Sequence, residues 1–154
     1  MPGSLYSWYG AGELETLARR GGVLSGEIDV GKLTRLAQLL ASDRGSVKAS
    51  LRFRQASGGW PIIELEYDTV VQLTCQRCLE PVDYRIEGRV EFAVLDSASM
   101  EQHLPKECEP LVLEDERLMP AMLIEDELII SLPLVPRHED VAACGSLVRE
   151  ADRL

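Results

Sequence analysis

Period-two alternation dominates the middle of the chain. From Ser46 to Gln55, Val47, Ala49, Leu51 and Phe53 fall on one side, while Lys48, Ser50, Arg52 and Arg54 fall on the other. This is the pattern of a strand with one buried and one wet face. Ala56-Ser57-Gly58-Gly59 reads as a turn. Alternation resumes over Pro61 to Thr74 (Ile63, Leu65, Tyr67, Val71, Leu73) and again over Val82 to Leu95 (Tyr84, Ile86, Val90, Phe92, Val94). The short polar segment between these two runs ends in Pro81 and predicts a hairpin. Three strands in sequence order therefore predict an antiparallel meander with one solvated face.

Helical spacing brackets the strands. Glu13 to Arg20 puts Leu14, Leu17 and Ala18 on one face and stops at Gly21-Gly22. Val23 to Ile28 is a short strand. Asp29 stands as an N-cap for a helix over 29–41 striped by Val30, Leu33, Leu36, Ala37 and Leu40, with Gly31 weakening its first turn. Leu118 to Leu132 holds ten apolar residues that surround a helical axis, the mark of a helix buried on most sides. A strand at Leu128–Leu132 competes with that reading. Pro133 and Pro136 end the element. Residues 1–11 predict an irregular or edge segment docked by Trp8. Residues 96–116 predict a loose acidic loop with one short strand at Leu111–Leu113, and residues 137–154 a flexible tail. The expected fold is a single α+β domain over 1–154: an antiparallel meander with a CxxC hairpin knuckle, covered by two or three helices, those near 29–41 and 118–131 packing on its apolar face.

A chain of 154 residues supports one such core. Its net charge of −10 is unevenly spread, with +3 over residues 1–60 and −13 over residues 61–154. The overall field therefore does not attract phosphates, and nucleic-acid contact requires a local patch. No apolar run approaches the roughly 18 residues of a membrane span, and the first residues do not read as a secretory signal. The expected compartment is the cytoplasm, with reduced thiols at Cys75, Cys78, Cys108 and Cys144.

The hairpin Leu73-Thr74-Cys75-Gln76-Arg77-Cys78 concentrates the candidate chemistry. Two thiolates in a knuckle can face one ion, and a closed zinc site needs two more ligands. His138 and Cys144 would complete a Cys3His set. The plain alternative is a pair of small residues in a turn and two unrelated side chains in a tail. A redox CxxC is disfavoured, because strands rather than a helix flank it. Gln76 and Arg77 at the tip would face outward, where a guanidinium suits phosphate. On the wet face, Glu64, Glu66 and Asp68 of the middle strand lie between Lys48, Arg52 and Arg54 on one side and Arg85 and Arg89 on the other. Those cations either pair across strands or form an RNA-binding face. Catalysis finds no support, since neither His103 nor His138 has a nucleophile at a motif spacing and no phosphate loop is present. Glu125-Asp126-Glu127 diverge by about 100° each on a helix and cannot share one ion. They serve solubility or an arginine elsewhere.

Two blocks, Leu73-x-Cys-Gln-Arg-Cys78 and Glu125-Asp-Glu-Leu-x-x-x-Leu-Pro133-x-x-Pro136, resemble the bacterial YceD family of large-subunit ribosomal RNA accumulation proteins over roughly residues 12–145. Many relatives end in a cysteine-rich tail, whereas this chain offers His138 and Cys144. The resemblance implies a non-enzymatic ribosome-biogenesis factor that supports synthesis, processing or stability of large-subunit ribosomal RNA. Its partners would be that RNA or its precursor, or a ribosomal protein, with no membrane and no small-molecule substrate. The alternative is a protein-interaction module whose acidic loop holds a basic ribosomal protein.

Overall fold

The structure is a computed structural model describing residues 4–95 and 104–144. Alternation produced long strands as expected: β3 (Ser46–Gln55), β4 (Pro61–Thr74) and β5 (Pro81–Leu95) pair antiparallel in sequence order. The short run before them, β2 (Val23–Asp29), adds to the free side of β3. Val47, Leu51, Ile63, Leu65 and Val71 are fully buried on the inner face of this sheet.

β6 (Cys108–Val112) lies beside β5 in parallel, with Glu91 opposite Cys108 and Leu95 opposite Val112. It starts three residues earlier than the predicted strand, so the sheet is a meander with one parallel edge. Residues 96–107 give the chain about the dozen positions that a parallel return requires. A small second sheet joins β1 (Tyr9–Gly10) to β7 (Arg117–Leu118). The N-terminal segment is docked by Leu5 and Tyr9, both buried, rather than by Trp8, which is 42% exposed. Trp8 instead carries the Arg117 guanidinium 4.0 Å from its ring centre, a cation–π contact.

Three helices cover the inner face. α1 (Ala11–Arg20) packs on β3 and β4 and ends where Gly21 adopts φ 63°, a left-handed cap that glycine takes without strain. α3 (Pro120–Ser131) starts with proline at its first turn and sends Leu123, Ile124 and Leu128 into the core. The predicted helix over 29–41 is corrected. The chain makes a 3-10 turn at Val30–Lys32, then a four-residue helix, α2 (Thr34–Ala37). Asp29 gives no side-chain cap, and Leu33 leaves helical geometry at φ −91°, ψ 81°. The apolar stripe is nonetheless buried, because Val30, Leu33 and Leu36 reach the core from a broken path. On the outer face, Ile62, Ala93 and Leu95 form a small second core with Trp60, Leu104 and Cys108.

Candidate metal centre and nucleic-acid face

The turn between β4 and β5 is built by its own backbone. Cys75 N–H donates to the Glu80 carbonyl at 2.9 Å, and Leu79 N–H donates to the Cys75 carbonyl at 2.8 Å. Leu79 sits at φ 63° to close the turn. Gln76 N–H reaches across to the Pro136 carbonyl at 2.8 Å, and the Arg77 guanidinium donates to the His138 carbonyl. These two bonds fasten residues 136–138 to the knuckle. The Asp140 carboxylate then accepts from Ala142 N–H at 3.0 Å and caps the 3-10 turn Val141–Ala143, which delivers Cys144.

Cys75, Cys78, His138 and Cys144 converge, with their ligand atoms all within 4.8 Å of one another. Cys75 Sγ lies 3.9 Å from Cys144 Sγ, and His138 Nδ1 lies 3.5 Å from Cys78 Sγ and 3.6 Å from Cys144 Sγ. Zn–S bonds of about 2.3 Å and Zn–N bonds of about 2.0–2.1 Å at tetrahedral angles give edges of about 3.8 Å for S···S and about 3.5 Å for S···N. Those three separations match such edges, and the remaining ones stay within 4.8 Å. Cys75 and Cys144 are buried, so both leave water as thiols or thiolates. Burial pushes Cys75 up, but the Cys78, His138 and Arg77 backbone N–H groups and the His138 ring outweigh it and hold the thiol at about 5. Burial and the neighbouring Cys78 and Cys75 sulfurs push Cys144 up to about 11. One sulfur is thus poised as an anion, and full deprotonation of the set calls for a cation in its centre.

The remaining expected contact residues divide. Gln76 is exposed at the tip, whereas Arg77 is half-buried against the returning chain. On the wet face, Arg85 makes a two-pronged bond to Asp68 at 3.2 and 3.1 Å and also meets Glu87 at 3.1 Å. Its bond holds the Asp68 carboxyl below the usual range. Arg89 pairs with Glu64 at 2.7 Å and Glu66 at 4.0 Å, and Arg54 with Glu91 at 3.3 Å. Lys48 and Arg52 form no such pair among the described residues. His103 lies outside the described residues.

Two roles were hidden from sequence patterning. The tail-fastening by Gln76 and Arg77 has no period to announce it. The Glu125 carboxylate, reasoned to meet an arginine elsewhere, does bond Arg35 at 2.9 Å, and it also accepts from the backbone N–H groups of Arg35 (2.9 Å) and Leu36 (3.2 Å). It therefore caps α2 from another helix.

Comparison with known proteins found a family match over residues 63–152, described as large ribosomal RNA subunit accumulation protein YceD. A Haemophilus influenzae protein with the same description is 28% identical over 108 residues, which is 70% of this chain and 62% of that relative, so the alignment spans less than two thirds of its length. No solved structure matched. The matched region holds β4 from Ile63 onward, the knuckle, β5, α3 and all four cluster residues, and it exceeds half of the chain: the protein belongs to the YceD family.

Proposed function

We propose that this chain is a non-enzymatic ribosome-biogenesis factor, working in the cytoplasm, that supports synthesis, processing or stability of large-subunit ribosomal RNA. Zinc held by Cys75, Cys78, His138 and Cys144 would fix its knuckle. The observation that carries this reading is the convergence of a Cys3His set inside the family-matched region. Zinc here would be structural, because four protein ligands leave no open position for substrate or water. Gln76, Lys48 and Arg52 are the contact residues best supported, since they carry donors without carboxylate partners among the described residues. Arg54, Arg85 and Arg89 would first have to leave their carboxylates, and Arg77 would have to leave the tail. No helix among the described residues is long and apolar enough to cross a membrane.

The test is depletion of the protein in cells, followed by complementation. Large-subunit RNA should fall relative to small-subunit RNA, the wild type should restore it, and Cys75→Ser should not. Purified protein should carry one zinc per chain by elemental analysis. An unchanged RNA ratio on depletion removes the biogenesis assignment, and metal-free protein with full rescue by Cys75→Ser removes the zinc.

A second reading, that the chain holds a basic ribosomal protein, is favoured by the ion pairing of the wet face. With Arg54, Arg85 and Arg89 paired, the wet face offers few free cations, while residues 61–154 carry a net −13 in which Arg85 and Arg89 are already counted.

A further inference from the structure

A groove unrelated to the metal cluster opens between the N-terminal segment, β6, β7 and α3. Leu123 lies at its floor, and Trp8, Met119 and Met122 wall it, enclosing about 200 Å³. Small-molecule sites run to roughly 300–1,000 Å³, so this volume suits one or two side chains. Trp8 and Met122 are 42% and 43% exposed and face one shared groove, and it is contiguous rather than scattered apolar exposure that marks interaction sites. Methionine walls adapt to the shape of what enters.

The lip is acidic and strained. Asp115 faces the groove at φ 52°, and Glu116 follows at φ 57°, two successive left-handed residues without a glycine. Such conformations persist where the surrounding structure enforces them, and they gather at ligand clamps. Residues 107–116 contain five carboxylates and no lysine or arginine. Arg117 and Asp126 line the groove beside Asp115: Arg117 lies over Trp8, and Asp126 is paired with Arg35, which Glu125 also holds.

We propose that this groove is a docking site for a basic segment of a partner protein, inserting one large apolar side chain between Trp8 and Met122 while flanking lysines or arginines meet Asp115 and Glu116. The proposal rests on the second reading above and gives it a place and a chemistry. The apolar pocket supplies the anchor and the acidic lip selects its neighbours, the arrangement by which a few buried residues dominate an interface.

The test uses the full chain with Trp60→Phe, so that Trp8 alone reports. Three labelled peptides serve as probes: lysine–glycine repeats with one central leucine, the same with alanine there, and the leucine peptide with glutamate in place of lysine. The leucine peptide should bind and shift Trp8 emission. The alanine peptide should bind at least tenfold more weakly, and the glutamate peptide should not bind. Met122→Lys and Asp115→Lys should each weaken the leucine peptide at least tenfold with an unchanged melting temperature. Equal binding of the leucine and alanine peptides, or full affinity in Met122→Lys, overturns the groove. So does a dimer that Met122→Lys disperses, or an RNA oligomer that displaces the peptide. A ribosomal-protein mixture that binds wild type and Met122→Lys alike overturns the groove but keeps the second reading; absence of any binding by basic peptide or protein removes both.

Discussion

Glu125 is the one acidic side chain buried among the described residues, and it is satisfied by three donors from α2. Hydrogen bonds to a charged group are worth more than neutral ones, and orphaned N–H groups keep their desolvation cost. Glu125→Ala should therefore lower stability by about 2–3 kcal/mol in urea denaturation, with an unchanged m-value. Arg35→Ala should cost under about 1 kcal/mol, because its guanidinium is half in water and the two backbone bonds survive. Glu116 gives the opposite sign. A glycine accepts φ 57° without a Cβ penalty, so Glu116→Gly should raise the unfolding midpoint, by about 0.5–1 kcal/mol. The sequence pattern around 125–127 made clear that the carboxylates diverge. It could not show that one of them turns inward, because nothing in a helical period marks which of three successive carboxylates meets backbone donors on a neighbouring element.

At the scale of elements, the knuckle and its returning segment behave as one unit. Metal binding contributes to folding, so Cys75→Ser should lower stability by a few kcal/mol and abolish stoichiometric zinc. The metal-free protein gives a pH test. Cys75 is held at about 5, below its ordinary range near 8.5, so its contribution is present above about pH 8.5 and is lost as pH falls towards 5. Cys144 is pushed up to about 11, so its contribution is intact below about pH 8.5 and is lost as pH rises towards 11. Denaturation of chelator-treated protein should therefore show greater stability at pH 8.5 than at pH 6, and Cys75→Ser should remove that difference. The strands were legible because each has a wet side and a dry side. The helix over 29–41 was misread because Val30, Leu33 and Leu36 keep helical spacing while β2 runs through Asp29 and leaves too few residues before the bend at Leu33. β6 was short, proline-bearing and parallel, three properties that weaken an alternation signal.

At the scale of the whole molecule, the arginines Arg54, Arg85 and Arg89 of the wet face are spent on carboxylates rather than joined in a single basic field. Arg85→Gln or Arg89→Gln should change stability little, because these exposed pairs are screened by solvent, and should leave RNA binding and its salt slope nearly unaltered. Lys48→Gln with Arg52→Gln should weaken binding and flatten the slope of log affinity against log salt by about 2. Filter binding across a salt series separates these outcomes. The four cluster residues could be nominated from sequence because cysteine and histidine are scarce in this chain, which has four and two of them. Their meeting could not, since it depends on bonds from Gln76 and Arg77 to carbonyls that any residue could provide.

The separation of the cluster's two halves also sets an order of events during synthesis. Cys78 precedes His138 by 60 positions, and Cys75 precedes Cys144 by 69. At translation rates of about 5–20 residues per second, roughly 3–14 s pass between the emergence of the first pair and the arrival of the last ligand. During that interval the nascent hairpin would hold half a coordination shell, and only the arrival of His138 and Cys144 would seal it. Metal capture would then report on synthesis itself: a chain that has loaded its ion has been made at least as far as Cys144.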